Sequence, residues 1–206
     1  MQPREICAGL WRWSTAHPEW QAGAARESPA DWPREVGCTL YETPDAAVFI
    51  DPLIPAGNER FWRWSDRHSA ARAVHVLSTI RFHRRSRDEL VARYGASTSR
   101  AKRRLPRGVQ SIALRGAGET LFWLPEPRTL VAGDRLIGTG GGLALCPESW
   151  LRYLPGHLTV AALRELLLPL LELPVERVLV SHGEPVLSGG HEALARALHR
   201  PQTPTA

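Results

Sequence analysis

The sequence contains almost no lysine and few cysteines. Of its 26 basic residues only Lys102 is a lysine, an imbalance that we attribute to genomic base composition rather than to a mode of binding. The three cysteines, Cys7, Cys38 and Cys146, form no C-x-x-C pair. Since an odd number of cysteines also argues against a disulfide framework, we expect reduced, buried thiols and a cytoplasmic protein.

Long apolar stretches are also missing. No apolar run reaches about 18 residues, the length that a membrane-spanning helix needs. The N-terminal stretch MQPREICAGLWRW has no apolar core of signal-peptide length, so we expect neither export nor contact with a membrane. Hydrophobic residues make up 43% of the chain and charged residues 23%, as in soluble globular proteins. We predict a single domain over residues 1–200 and a frayed tail at 201–206.

Positive charge is concentrated in one segment. The chain carries a net charge of +5, but ten basic and two acidic residues between Arg81 and Arg107 give that segment +8 and leave about −3 for the remainder. Its aromatic residues are Phe82 and Tyr94, too few for a surface on which nucleobases stack. We therefore expect a solvated basic loop and no nucleic-acid partner, with phosphate contacts through this segment as the weaker alternative.

Strand-like and helix-like segments alternate along the chain. Short apolar or alternating runs predict strands at residues 6–15, 37–42, 46–50, 74–77, 110–114, 119–124, 129–132 and 178–180. Helical patterns occur at residues 58–71, 88–95, 159–171 and 192–199. This alternation favours a layered α/β architecture with a mixed, partly antiparallel sheet.

Polar residues follow several of these strands. The strand at 74–77 runs into a histidine-bearing turn at residues 79–86, and two later strands end in Gly133-Asp134 and Ser181-His182-Gly183. In α/β folds, ligands and chemistry are placed at the carboxyl ends of strands. These turns are therefore the candidate site, with His83 and Asp134 as candidate catalytic residues.

These strand ends, with Asp51-Pro52 closing an earlier strand, resemble the metallo-β-lactamase fold superfamily. The resemblance covers roughly Ile6 to Leu198, and the stretches TLVAGDRLIG and VERVLVSHGEPVLSGG are its most specific parts. It implies an α/β (α+β) fold built as a four-layer αββα sandwich, with one or two metal ions bound at the edge of the sheets.

The first metal motif departs from the family pattern T-H-x-H-x-D-H. Arg81 occupies the place of the first histidine, Arg85 that of the aspartate and Ser86 that of the last histidine, while His83 is retained. Because arginine stays protonated, it cannot ligate a metal, and its charge repels a cation. The resemblance therefore implies an eroded site, in which these three replacements bind a small anionic ligand.

The rest of the ligand set is also reduced. No histidine occurs from residue 84 to 156, so the ligand expected near residues 116–119 is missing, and Glu119 is the only nearby side chain able to bind a metal. His83, Asp134 and His182 remain as metal ligands, with Glu119 as an additional one. The other histidines follow no ligand spacing and are left unassigned: His17, His68, His75, His157, His191 and His199.

Two functional hypotheses follow. The first, which the sequence favours slightly, is a non-hydrolytic protein that binds no metal and holds a small anion or a protein partner in the former active-site cleft; Asp134 would then pair with Arg81 or Arg85. The second is a hydrolase of esters, thioesters or phosphoesters that uses a single zinc or iron ion held by His83, Asp134 and His182.

Overall fold

The computed structural model describes residues 2–98, 105–154 and 156–199. These residues form the strands β1 (Arg4–Cys7), β2 (Leu10–Ala16), β3 (Glu35–Glu42), β4 (Ala46–Ile50), β5 (Ala73–Leu77), β6 (Ser97–Thr98), β7 (Gln110–Leu114), β8 (Glu119–Leu124), β9 (Thr129–Ala132), β10 (Leu136–Thr139), β11 (Gly142–Leu145) and β12 (Arg177–Val180). The α-helices are α1 (Glu59–Ser69), α2 (Arg87–Tyr94), α3 (Val160–Leu167) and α4 (Gly190–His199). Short 3₁₀ helices cover Arg81–Arg84, Glu148–Leu151 and Leu168–Glu172. The predicted tail and residues 99–104 of the basic segment lie outside the described residues.

The strands form two mixed sheets and a separate hairpin. The first sheet has the order β1-β2-β3-β4-β5-β6, antiparallel from β1 to β4 and parallel from β4 to β6. The second has the order β12-β9-β8-β7, in which β12 is parallel to β9 and the other pairs are antiparallel. The separate hairpin consists of β10 and β11, and its turn lies at Gly140 and Gly141.

Both sheets bury both of their faces, which produces four layers. In β4, Ala47 and Phe49 join a core with α1 and α2, whereas the alternating Val48 and Ile50 join the core between the two sheets. The second sheet divides in the same way and packs its outer face against α3 and α4. Each fully buried valine, isoleucine or phenylalanine side chain contributes about 1.5–3 kcal/mol. The predicted αββα sandwich is confirmed.

Some element boundaries differ from those predicted. The segment at 6–15 is two strands, joined by a turn at Gly9, whose φ of +72° favours glycine. The predicted helix at 159–171 begins as expected, with Thr159 Oγ1 accepting a hydrogen bond from the Ala162 N–H (3.1 Å). Its α-helical part ends at Leu167 because Pro169 has no N–H to donate within the helix.

The topology brings the polar strand ends to one edge of the sandwich. Strands β4 and β5 are parallel in the first sheet, and β9 and β12 are parallel in the second. At this edge the Gly37 N–H donates to the Ser181 carbonyl (2.8 Å), and Val36 forms an isolated bridge with His182. The two sheets are thus joined beside the predicted site. No helix of the described ranges is long and apolar enough to cross a bilayer.

Candidate active site

The turn after β5 carries His83 into the interior. Its 3₁₀ helix, Arg81–Arg84, places consecutive side chains on different sides. His83 is only 6% exposed, whereas Arg81 and Phe82 face solvent, and the Arg81 guanidinium stacks on the Phe82 ring at 4.5 Å. Arg81 and His83 occupy the first two histidine positions of the motif. Of the two, only His83 therefore reaches the cleft.

Asp51, at the end of β4, fixes the orientation of the His83 ring. Its Oδ1 accepts a hydrogen bond from the Thr79 N–H (2.8 Å), and its Oδ2 accepts one from the Thr79 hydroxyl. His83 Nδ1 lies 2.9 Å from the same Oδ2. A carboxylate on one ring nitrogen places the proton there and leaves the other nitrogen available as a ligand. His83 Nε2 is therefore the atom presented to the site.

Glu119 holds the turn that carries Asp134. One carboxylate oxygen accepts from the Gly133 N–H (2.9 Å), and the other accepts from the N–H groups of Asp134 (2.8 Å) and Arg135 (3.0 Å). Burial first, and the charge of Asp134 second, raise the pKa of Glu119. A side chain at Gly133 would place its Cβ against Thr79 Oγ1, closer than a Cβ atom can approach, so this position requires glycine. Glu119, predicted as an additional ligand, thus accepts backbone hydrogen bonds with both oxygens.

The three residues predicted as metal ligands, His83, Asp134 and His182, converge on one point. Asp134 Oδ1 lies 3.0 Å from His83 Nε2 and 3.4 Å from His182 Nε2, and one ligand atom from each residue falls within 4.8 Å of the others. Ligand atoms around a tetrahedral zinc are about 3.3–3.6 Å apart. The buried Oδ1 makes no aligned hydrogen bond despite these short distances. The donor set therefore fits a single divalent ion.

Burial and neighbouring charges shift the pKa values of the clustered residues in opposite directions. Burial and the positive charge of Arg85 would each lower the pKa of His83. The carboxylates of Asp134 and Asp51 outweigh both effects and raise the pKa of His83 to about 9. Burial would likewise raise the pKa of Asp134, but His83 and His182 lower it well below its ordinary value. Burial lowers the pKa of His182. Without metal, a His83 imidazolium thus lies between two carboxylates.

Arg85 and Ser86 fasten the motif to the end of β4. Arg85 Nη1 donates to the carbonyls of Asp51 (2.8 Å) and Gly37 (3.1 Å). The Ser86 hydroxyl accepts from the Ile54 N–H (3.0 Å). Of the three predicted ligand-binding residues, Arg81, Arg85 and Ser86, only Arg85 lines the cavity above the cluster. The ion pair expected between Asp134 and an arginine does not form, because Asp134 faces two histidines instead.

A cavity of about 370 Å³ opens above the three converging residues. His83, Asp134 and His182 form its floor, and Arg85 lies at one side. Most of its wall is apolar and aromatic, from Trp32, Phe82, Trp150 and Tyr153. The site is thus a small, largely apolar pocket whose polar floor has the residue types of a metal site.

Several residues of this pocket were not predicted as functional. His17 lines the cavity, its Nδ1 accepts a hydrogen bond from the Glu19 N–H (3.2 Å), and burial followed by the charge of Arg85 lowers its pKa. His17 and Trp32 belong to the segment between β2 and β3, which has no periodicity from which their position could be derived. Asp51 carried a signal, since it follows a buried strand directly.

The fold is shared with metallo-β-lactamases of known structure. DIM-1 metallo-β-lactamase exposed to ceftazidime is 12% identical, with 96% of this chain and 95% of that chain covered and a TM-score of 0.61. FIM-1 from Pseudomonas aeruginosa, in its mono-zinc form, is 10% identical, with 96% of this chain and 94% of that chain covered and a TM-score of 0.59. A metallo-β-lactamase from Erythrobacter litoralis is 15% identical, with 95% of this chain and 89% of that chain covered and a TM-score of 0.57. No protein-family model and no curated protein match the sequence.

This protein therefore has the metallo-β-lactamase fold, as its strand-end motifs predicted. The likeness extends over nearly the whole chain, and the low identity marks a divergent sequence. Such a likeness establishes the architecture, while the chemistry has to be argued from the residues of the site.

Proposed function

We propose that this protein is a metal-dependent hydrolase that uses a single zinc or iron ion. The observation that carries the proposal is the convergence of His83 Nε2, Asp134 Oδ1 and His182 Nε2, with Asp51 behind the first histidine. Three protein ligands with an open fourth position are typical of catalytic zinc sites, whereas structural sites use four. FIM-1, which is similar in fold, is described in a mono-zinc form.

The residues around the site have separate roles in this proposal. Asp51 keeps the proton of His83 on Nδ1, and Glu119 holds the Asp134 turn in place. A divalent ion at this site supplies Lewis acidity and lowers the pKa of water. The guanidinium of Arg85, at the side of the cavity, stabilises negative charge that develops on a substrate oxygen. An ester, a thioester or a phosphoester meets these requirements.

The second candidate is a metal-free protein that binds a small anion. It is favoured by Arg85, whose charged side chain lines the cavity with a buried Nε that makes no hydrogen bond. The cluster is also nearly balanced in charge without a metal, because protonated His83 and the nearby Arg85 together offset the carboxylates of Asp51 and Asp134. The two candidates differ in whether the purified protein holds a metal.

Metal binding tests the proposal directly. We expect protein purified without chelator to hold about one equivalent of zinc or iron, and His182→Asn to weaken zinc binding by more than about 100-fold, since it removes one of three ligands. The matched control is His157→Asn, because His157 is exposed, does not line the cavity, and has a φ of +50° that suits asparagine. Elemental analysis and competition with a zinc chelator measure both quantities.

Activity is the second readout. Zinc, iron and manganese are supplied in turn to the purified protein, and a panel of esters, thioesters and phosphoesters is assayed. We expect turnover that His182→Asn abolishes and His157→Asn leaves unchanged. A protein that retains no metal and hydrolyses nothing would instead support the anion-binding candidate.

A further inference from the structure

The rim of the cavity is aromatic and exposed. Phe82 is 54% exposed and Tyr153 is 37% exposed, and they are the two large apolar side chains that remain exposed among the residues the structure describes. Both line the cavity, and their rings contact each other edge to face, with centroids 5.3 Å apart and planes at 81°. Exposed apolar groups gathered at one opening indicate a binding surface rather than chance.

The position of Tyr153 is fixed from inside the protein. Its hydroxyl accepts a hydrogen bond from the Arg135 guanidinium, which is fully buried. Arg135 Nε also donates to the Ala117 carbonyl (2.8 Å), and Arg135 directly follows Asp134 in the chain. A buried arginine is costly unless it is well paired, so this arrangement is a specific one. The rim is therefore attached to the same turn that supplies a metal ligand.

The cavity lining beside His182 is also aromatic. The rings of Trp32 and Trp150 meet the His182 ring at centroid distances of 5.9 and 5.1 Å, so both indoles lie beside the proposed metal site. Trp150 Nε1 donates to the Asp31 carbonyl (3.1 Å), which satisfies its polar atom and leaves the ring as apolar wall. Aromatic surface thus borders the cluster as well as the rim.

The size of the cavity limits what it can enclose. A volume of about 370 Å³ lies near the lower end of the range for small-molecule sites, and it is too small to enclose a segment of polymer. Aromatic walls favour a flat ring, because edge-to-face and stacked contacts add to the hydrophobic effect. The polar floor accepts the carbonyl or carboxylate group attached to that ring.

We propose that the substrate is a small ester with an aromatic ring on its acyl side, and that this ring binds between the rim of Phe82 and Tyr153 and the indoles of Trp32 and Trp150. The cleavage of the ester rests on the proposed function, whereas the binding of the ring does not. In the reaction, water adds to the acyl carbon, the bond from that carbon to the ester oxygen breaks, and the released alcohol takes up a proton.

Binding of two carboxylates tests the ring site without any turnover. Phenylacetate and cyclohexylacetate share their charge and nearly their size but differ in aromaticity. Titration calorimetry, on both the metal-free and the zinc-loaded protein, should show phenylacetate binding about two- to tenfold more tightly. Phe82→Leu and Tyr153→Leu, which keep an apolar side chain, should each reduce this preference. The control Trp62→Leu lies on α1, outside the cavity, and should preserve it.

Equal affinity for the two acids in the unaltered protein, or a preference that survives both rim substitutions, would overturn the ring site. Hydrolysis of methyl phenylacetate and methyl cyclohexylacetate, which release the same alcohol, then separates the two proposals. Turnover of both esters at equal kcat/KM would contradict the aromatic specificity and support the hydrolase. A ring preference in binding without turnover of either ester would support the ring site and contradict the hydrolase.

Discussion

At the scale of single residues, His83 is the most constrained side chain of the site. It is the one retained member of a four-ligand motif, and its two ring nitrogens face the carboxylates of Asp51 and Asp134. The sequence indicates the importance of His83 through its position after a strand. It does not indicate that Asp51, distant in the chain, selects which nitrogen of that ring is available.

Asp51→Asn tests this selection. The asparagine amide can donate to His83 Nδ1, which moves the ring proton to Nε2 and blocks the ligand atom. We expect zinc affinity to fall about 10- to 100-fold, the usual effect of removing a group that orients a ligand. The control Asp88→Asn changes the same functional group on the exposed side of α2. Unchanged zinc affinity in Asp51→Asn would contradict this role of Asp51.

At the scale of elements, turns rather than strands determine the site. The predicted strands at 46–50, 110–114, 119–124 and 129–132 match the structure, because short apolar or alternating runs are a strong signal. The turns were harder to predict from spacing. A 3₁₀ helix turns Arg81 outward, and Ser86 hydrogen-bonds to the backbone of Ile54, so two of the three predicted ligand-binding residues do not line the cavity.

Glu119→Gln tests how the Asp134 turn is held. An amide NH₂ group in place of one carboxylate oxygen faces backbone donors and leaves at least one of them unsatisfied in the interior. We expect a loss of about 1–3 kcal/mol in the free energy of unfolding, together with weaker zinc binding because Asp134 shifts. Urea denaturation measures the first, and Glu148→Gln, at an exposed position, is the control. Wild-type stability in Glu119→Gln would show that the turn holds without the carboxylate.

At the scale of the whole molecule, the sequence pattern indicates a layered α/β architecture, and the family resemblance adds the four layers, but neither reveals the pocket. The alternation of strands and helices indicates the layers, and the motifs at strand ends carry the resemblance. The order of the strands within each sheet follows from neither pattern. The cavity wall depends on residues far apart in the chain, such as Trp32 and Tyr153, whose approach no local pattern records. Contacts of this kind arise from tertiary packing, which a single sequence does not display.

The stability of the metal-free protein should fall as pH rises. The pKa of His83 is about 9 in the folded state and about 6.5 when unfolded, so its contribution is complete below pH 6.5 and is lost as the pH rises to about 9. We expect this loss to be about 3 kcal/mol. Thermal unfolding in the presence of a chelator at pH 6 and pH 9 measures the loss. Comparing wild type with His83→Gln separates the contribution of His83 from that of other titrating groups. An equal loss in both proteins would contradict it.

The three converging ligand residues come from both sheets of the sandwich. His83 follows β5 in the first sheet, whereas Asp134 and His182 follow β9 and β12 in the second. A complete ligand set therefore exists only after the two halves of the chain have docked during folding. Because metal binding and folding are coupled in such cases, a bound ion would act as a cross-link between the halves. Metal occupancy would then report whether a given molecule has completed its assembly.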